Sequence, residues 1–505
     1  MAAYLLGIDL GTTGLKAAIF DERGGLCGLG YERCAMLPNG RGWAEQDPEN
    51  WWEACQRAVH QAIAAARIDP RGVAGVGLSG FHHCPVFLGS QNRPVRPTII
   101  THDQRLYDSW QELAHTDVLG QITARTGSMV SQGHFPPIFH YVRKHDPEML
   151  RKTRHIVLPK DYLRLRLTGV LGTEICDATG TNLVKMPEDR WSPDLCALAE
   201  VPPALLPPIR MSHEVCREVT AEAAAVTGLA AGTPVVYGGG DSHCALLGLG
   251  VIRSGEIGLL LGTNGTMRAV FEGFAKHPQH MVWVQQHVVP GMFTVSASTM
   301  AGASVLEWFK NNFCPDLFAD GELAGYEAIQ QAAARIPAGS DGLVFNPYIF
   351  GERSPFCNPR ACATFSGLTF LHTRAHFLRS VLEGVACCLA ECMELIEQVA
   401  VARHETMGPI RMGGGGSRMA LWPSIISSVL KRPIALVKQP EVGCLGAAML
   451  AGIGTGVYRS PQEAVERCVG QTIVFEPDLT NRPAYLELLD RFQRLRKAVE
   501  PEFFR

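Results

Sequence analysis

The sequence, 505 residues long, lacks any run of about 18 uninterrupted apolar residues, so no segment is expected to span a membrane. Its first apolar stretch, Ala2 to Ile8, has no basic flank and ends at Asp9, which excludes a signal peptide. Neither sign of charge dominates: 46 Lys+Arg stand against 49 Asp+Glu, a formal net charge of −3. Electrostatics therefore supply no reason to expect nucleic acid or an anionic membrane as a partner. Sixteen cysteines are present, but none forms a C-x-x-C pair, so they are expected as reduced thiols serving as small core residues in the cytoplasm. There is no Gly-Lys dipeptide and hence no Walker-type P-loop, and the H-R-D and D-F-G elements of protein kinases are absent.

What remains is ordinary globular composition, 46% hydrophobic and 19% charged, which excludes disorder. The length predicts two or three domains, each able to bury its own core. Glycine is the unusual signal. The 52 glycines cluster at 7–14, 72–80, 238–250, 262–265 and 413–416, between segments that read as strands and helices. Clustered glycine lets backbone N–H groups approach a ligand closely.

Residues 4–9 and 15–20 read as two strands joined by Leu10-Gly11-Thr12-Thr13-Gly14. Asp47-Pro48 opens an amphipathic helix to about residue 66, and a strand is expected at 73–79. Residues 135–166 are predicted helical with a break near Pro159, 217–228 a short helix, and 235–241 a strand running into a glycine turn. Later come a long helix at 376–402, strands at 409–412 and 433–437, and a small-residue helix at 443–453. Such alternation implies α/β domains with buried sheets.

The segment Gly7 to Glu22 aligns without gaps on Gly258 to Gly273, with seven identities in sixteen positions at an offset of 251 residues. Two homologous halves, each opening with a β-hairpin, are the economical explanation, with a boundary at 244/245. The second copy keeps the Gly-Thr turn but has Leu260 in place of Asp9, so the turn itself does not require the acid.

Those comparisons select the candidate residues. Backbone N–H groups and Thr hydroxyls in the first turn can donate to phosphate oxygens, while Asp9 can hold a bridging Mg²⁺. Asp241, after a triple-glycine turn, can accept the proton of an attacking hydroxyl, or else simply cap the following helix. Phe81-His82-His83-Cys84 and Thr101-His102-Asp103 match no zinc spacing and better suit a polyhydroxyl ligand. The G-x-G-x-x-G at Gly75, Gly77 and Gly80 lies within a strand candidate, not between a strand and a helix, which argues against a dinucleotide fingerprint. Gly413 to Gly416, ahead of a helix, can admit a nucleotide or be a plain turn.

In this order the elements resemble the FGGY family of carbohydrate kinases, most closely its xylulokinase branch. The resemblance runs along nearly the whole chain through GIDLGTTGLKAAIFD, WAEQDPENWW, PKDYLRLRLTG, DATGT, GGGDSHCALLGLG, LGTNG, AGASVLEW, GERSPFCNP and the final GGGG. The segment from Phe365 to Glu383 resembles the family's C-terminal signature, in which Glu383 is expected to be structural.

The resemblance implies two ribonuclease-H-like domains of the actin/hexokinase superfamily, 1–244 for the sugar and first phosphate hairpin, 245–505 for the nucleotide. It implies transfer of the ATP γ-phosphoryl group to a small open-chain sugar, D-xylulose giving D-xylulose 5-phosphate. Other acceptors are the alternative: ribulose, erythritol or another polyol, gluconate, or a small signalling diol; a non-catalytic sugar-binding homologue is a further one. Asp241 is implied as general base, and Asp9 with Asp241 as the Mg²⁺ carboxylates. Gly11, Thr12, Thr13, Gly262 and Thr263 are implied at the ATP phosphates, and Gly302, Gly414 and Gly415 at the nucleoside. His82, His83 and Asp103 match sugar-binding positions, and a homodimer is compatible with the family. Xylulokinases usually show Gln-Met-His-Gly where this chain has Phe81-His82-His83-Cys84, and Trp-Asn-Asp where it has Thr101-His102-Asp103. Those changes exchange apolar wall for imidazole.

Overall fold

A computed structural model describes residues 3–503 except 39, 41, 280, 320 and 471. Two seven-stranded sheets organise it. The first is built from β1 (Tyr4–Leu10), β2 (Gly14–Asp21), β3 (Leu26–Arg33), β4 (Val73–Gly80), β5 (Val215–Glu218), β6 (Pro234–Val236) and β7 (Gly239–Gly240). Its order is β5-β6-β4-β1-β2-β3, with β7 also pairing with β4. The second contains β8 (Ile257–Leu261), β9 (Gly265–Glu272), β10 (Trp283–Gln286), β11 (Met292–Thr299), β12 (Ile410–Gly413), β13 (Ile434–Val437) and β14 (Thr472–Phe475). Its order is β10-β11-β9-β8-β12-β13-β14.

The run β3-β2-β1-β4-β6 repeats as β11-β9-β8-β12-β13, with two antiparallel pairings followed by two parallel ones in both sheets. This is the ribonuclease-H-like arrangement the family resemblance implies, and both copies open with the duplicated hairpin. The repeat is not perfect. Leu10 faces Leu15 in the first hairpin, whereas Leu261 faces Gly265 in the second, one residue out of step with the gapless alignment. The cause is the turn: Gly11 N–H donates to the Gly14 carbonyl, but Gly262 N–H donates to that of Asn264, closing the second turn earlier. A one-residue slip moves every side chain of the second strand to the other face. It sets Arg268 opposite Gly258, whereas its sequence counterpart Ala17 sits opposite Ile8 in the first core.

Local signals explain the elements nearest the site. Asp47 accepts the Glu49 N–H and caps the helix Pro48–Ala66, whose Trp51, Cys55, Ala58 and Ala62 are buried. The stretch predicted helical at 135–166 divides into helices Phe135–His145, Pro147–Lys152 and Pro159–Thr168 around a strand His155–Val157, because prolines restart the chain at 147 and 159. The start of the predicted 217–228 helix is instead the edge strand β5, with the helix confined to Ala221–Thr227 behind its Thr220 cap.

The helix Asp241–Leu249 follows the first sheet, yet Ala245, Leu246 and Leu249 pack with Val270 and Val437 of the second. The helix Val442–Gly454 follows the second sheet, yet its Cys444, Leu445 and Ala448 pack with Leu5, Ala18 and Phe20 of the first. Each crosses to the other sheet, and they touch so closely that a Cβ on Gly446 would lie 1.8 Å from the Cys244 carbonyl oxygen. A division at 244/245 therefore falls within a crossing helix, and residues 442–454 pack on the N-terminal sheet. All sixteen cysteines are free thiols, and no helix among the described residues is long and apolar enough to cross a membrane.

Candidate active site

The site lies where the central strands of the first sheet end. Asp9 is the penultimate residue of β1, Ser79 lies beside it in β4, and β7 leads from Gly240 into Asp241. Ligands of open α/β sheets collect at these C-terminal strand ends. Asp9 accepts a 2.6 Å hydrogen bond from Ser79 Oγ. Burial pushes its carboxyl up to about 6, against the Ser79 hydrogen bond, and the charge of Asp241 adds to the rise. Asp241 is in the first turn of its helix, its side chain 40% exposed, with Oδ1 accepting the Ser242 N–H at 2.5 Å. Two carboxylates with oxygen-only chemistry fit Mg²⁺, which binds through one or two protein carboxylates plus substrate phosphates. Among the described residues no three His, Cys, Asp or Glu side chains converge as a metal-binding group, so the protein alone builds no closed metal cage.

The second set of predicted residues converges at the end of β8. Gly262 and Thr263 form the β8–β9 turn, and their carbonyls accept the N–H groups of Ala303 and Ser304 at 2.7 and 3.3 Å. A Cβ on Gly302 would lie 2.5 Å from the Thr263 oxygen, so only glycine lets the helix Ala303–Phe313 start against that turn. Gly414, at φ +98°, would set a Cβ 2.7 Å from the Leu261 oxygen. Gly262 and Gly415 face open space, since a Cβ on either meets nothing within 4 Å. In the first turn, Thr12 and Thr13 are held through their carbonyls, by Gln46 Nε2 at 2.7 Å and Cys34 N–H at 3.0 Å. A helix N-terminus and backbone donors with unfilled space in front are what a phosphate-bearing ligand uses.

The predicted sugar residues separate. His82 is buried, its Nδ1 2.7 Å from Asp177 Oδ1 and its Nε2 3.1 Å from Ser242 Oγ and 3.5 Å from Asp241 Oδ1. Burial opposes its protonation, but the charge and hydrogen bond of Asp177, with help from Asp241, outweigh that and raise its pKa. His83 is half-buried at φ +75°, Nδ1–H donating to the Gly180 carbonyl at 2.8 Å, with its ring stacked on His134 at 4.0 Å. Burial and the neighbouring His134 hold His83 well below the usual imidazole range, so its ring is neutral.

Asp103 lies in a different setting from the two histidines. It is wholly buried, and both oxygens are consumed: Oδ1 by Arg105 N–H and Nε, Oδ2 by the Ala44 N–H at 2.7 Å and Arg105 Nη2 at 2.6 Å. Four hydrogen bonds occupy the carboxylate, which ties the 101–105 loop to Ala44. Glu383 is structural as expected, buried and bonded to Gly339 N–H, Ser340 Oγ and Arg379 Nε.

Several residues at the site carry no role in the sequence reading. Asp177 lies within DATGT and Lys160 within PKDYLRLRLTG, both quoted as blocks, and their side chains meet at 2.9 Å behind His82. Ser79 is one residue of a strand. Arg268 is half-buried, 3.2 Å from Gln285 Oε1 and Ser296 Oγ, close enough to Asp241 to feel its charge. Arg353 reaches the same region, its charge adding to burial in depressing the pKa values of His102 and His134. Only tertiary proximity marks these groups.

Known proteins share this sequence pattern and fold. The model of the N-terminal domain of the FGGY family of carbohydrate kinases matches residues 4–248, and that of the C-terminal domain matches 259–455. A xylulose kinase of Escherichia coli (strain K12) is 30% identical over 98% of this chain and 99% of its own. The L-xylulose/3-keto-L-gulonate kinase of the same strain is 29% identical over 99% and 98%. The crystal structure of xylulose kinase from Rhodospirillum rubrum superposes with a TM-score of 0.89 at 28% identity, covering 99% of this chain and 100% of that one. With both family domains matched across most of its length, the chain belongs to the FGGY family of carbohydrate kinases.

Proposed function

We propose that this sugar kinase transfers the ATP γ-phosphoryl group to a hydroxyl of a small open-chain ketose, with D-xylulose as acceptor and D-xylulose 5-phosphate as product. Asp241 accepts the hydroxyl proton. The observation that carries the reading is its carboxylate, partly exposed at a strand end and near enough to the half-buried Asp9 to raise its pKa. A base must reach its proton, and such positioned bases contribute roughly 10²–10⁴-fold. Asp9 and Asp241 would hold Mg²⁺, which supplies charge neutralisation at the phosphates when bound. The Gly11–Thr13 turn faces the phosphates, and Gly262, Thr263, Gly302, Gly414 and Gly415 the nucleotide. His83 offers the acceptor a hydrogen-bonding ring. Relatives named xylulose kinase support the acceptor, and sixteen free thiols support a reducing, cytoplasmic setting. The domain division is proposed at 244/245, which the family matches at 4–248 and 259–455 support. A homodimer remains part of the proposal.

The test is ADP release across a panel of ketoses, polyols and sugar acids, with wild type beside Asp241→Asn. Acceptor-dependent release that falls by at least about 10²-fold in the variant is expected. Near-normal turnover in Asp241→Asn overturns the base assignment, and a higher kcat/KM on another panel member moves the acceptor. One observation favours a sugar-acid acceptor as the second reading. Among the described residues Arg353 makes no ion pair, and its charge is felt at His102 and His134, which suits a carboxylate.

A further inference from the structure

His82 is anchored from behind by charge. Its Nδ1 meets Asp177 Oδ1 at 2.7 Å, and Asp177 Oδ2 lies 2.9 Å from Lys160 Nζ. Lys160 also lies 2.9 Å from Asp161 Oδ1 and 3.4 Å from Glu174 Oε1, and all four of these charged side chains are completely buried. Burial raises the Asp177 carboxyl, but Lys160 and His82 outweigh it and keep the group ionised. An ionised Asp177 accepts the Nδ1–H, which directs Nε2 at the N-terminus of the helix Asp241–Leu249. There it lies 3.1 Å from Ser242 Oγ, 3.4 Å from His243 Nδ1 and 3.5 Å from Asp241 Oδ1. The ring is pressed on the backbone: a Cβ on Gly240 would fall 1.6 Å from His82 Cε1. Among the described residues the Asp241 carboxylate accepts its hydrogen bond from Ser242 N–H.

We propose that His82 is a positioning residue, through which the buried Lys160–Asp177 pair sets the orientation of the Asp241 carboxylate toward the acceptor hydroxyl. The inference rests on the reading of Asp241 as the base. Proton abstraction needs the carboxylate oxygen within hydrogen-bond reach of the hydroxyl, and a misplacement of about 1 Å costs on the order of 10²-fold. A half-exposed side chain in the first turn of a helix samples several rotamers; Nε2, accepting the Ser242 Oγ–H, fixes the residue whose N–H binds Asp241 Oδ1, and so removes that freedom. Methionine, which the xylulokinase resemblance implies at this position, could neither donate to Asp177 nor accept from Ser242 as the imidazole does.

The experiment uses the full chain with His82→Met, His82→Gln, Asp177→Asn and the His82→Met/Asp177→Asn double variant. Each is assayed by ADP release with the two best acceptors of the panel. His82→Met is expected to lower kcat about 10- to 100-fold with both acceptors, leaving the KM for ATP within about two-fold. His82→Gln, whose amide reaches the Nε2 position, recovers part of that loss. The double variant is no slower than His82→Met alone, because both changes break one chain. In ¹⁵N-histidine spectra, a hydrogen-bonded Nδ1–H signal of His82 is lost in Asp177→Asn. A kcat for His82→Met within about two-fold of wild type, a loss confined to the KM of one acceptor, or multiplying effects would each overturn the inference. Should His82→Met not fold, His82→Gln and Asp177→Asn are judged by the same criteria. Wild type that releases no ADP with any acceptor refutes the kinase reading and this inference together; active wild type with an indifferent His82 refutes this inference alone.

Discussion

Gly262→Ala separates ligand chemistry from folding at the second Gly-Thr turn. A Cβ at this position meets nothing within 4 Å, and Gly262 is not among the glycines with positive φ, so the methyl strains neither packing nor backbone. Stability should stay level or rise by about 0.4–1 kcal/mol, because alanine restricts the unfolded chain. If the space in front of the turn receives a phosphate, the methyl keeps the phosphate oxygens from the backbone N–H groups. Losing one hydrogen bond to a charged group costs about 1.5–3 kcal/mol. At about 1.4 kcal/mol per decade, that is a loss of roughly 10- to 150-fold in ADP affinity. Gly302→Ala supplies the contrast, since its Cβ would lie 2.5 Å from the Thr263 oxygen and 2.7 Å from that of Gly262. Its helix must retreat from the turn, at a cost of about 1–3 kcal/mol. Calorimetric titration with ADP and urea unfolding of both variants make the measurement. Gly262→Ala that binds ADP like wild type would refute the phosphate role of the turn, and Gly302→Ala of wild-type stability would refute the packing argument.

Two further outcomes follow from buried ionisable groups. Burial above all depresses His134 from 6.5 to about 4, so it is neutral when folded. A depressed folded pKa contributes stability above 6.5 that is lost as pH falls toward 4, about 2 kcal/mol between pH 7 and 5. Urea unfolding at those two pH values should show His134→Asn losing correspondingly less than wild type, and an unchanged slope would contradict it. Glu383→Ala leaves the Arg379 guanidinium, with Nε 2.8 Å from the lost carboxylate, buried without its counter-charge. A destabilisation of about 3–5 kcal/mol is expected, with activity per folded molecule preserved. Wild-type stability would show that the pair is dispensable.

Local chemistry was legible in the residues themselves. The glycine clusters, the duplicated hairpin and the Asp-Pro helix start locate the strands and helices of both halves, because turn geometry and capping depend on residues a few positions apart. Asp9 stands out against Leu260 for the same reason: a repeat supplies its own control. The resemblance to a carbohydrate kinase family added roles the residues alone could not supply, and both family domains are matched.

What the linear order withholds is which groups satisfy one another across the fold. Asp103 reads as a ligand, yet Ala44 and Arg105 consume its oxygens, and Ala44 is 59 residues away. His82 reads as a sugar contact, yet the fold surrounds it with Asp177, Ser242 and Asp241. Nothing in the linear order shows that the helices Asp241–Leu249 and Val442–Gly454 each cross to the other sheet. Residue type and spacing determined the class of chemistry and the duplicated fold, since both rest on short-range geometry. Tertiary structure decided which carboxylates and imidazoles remain free to act, because hydrogen-bond capacity is finite and is shared out only when distant segments meet.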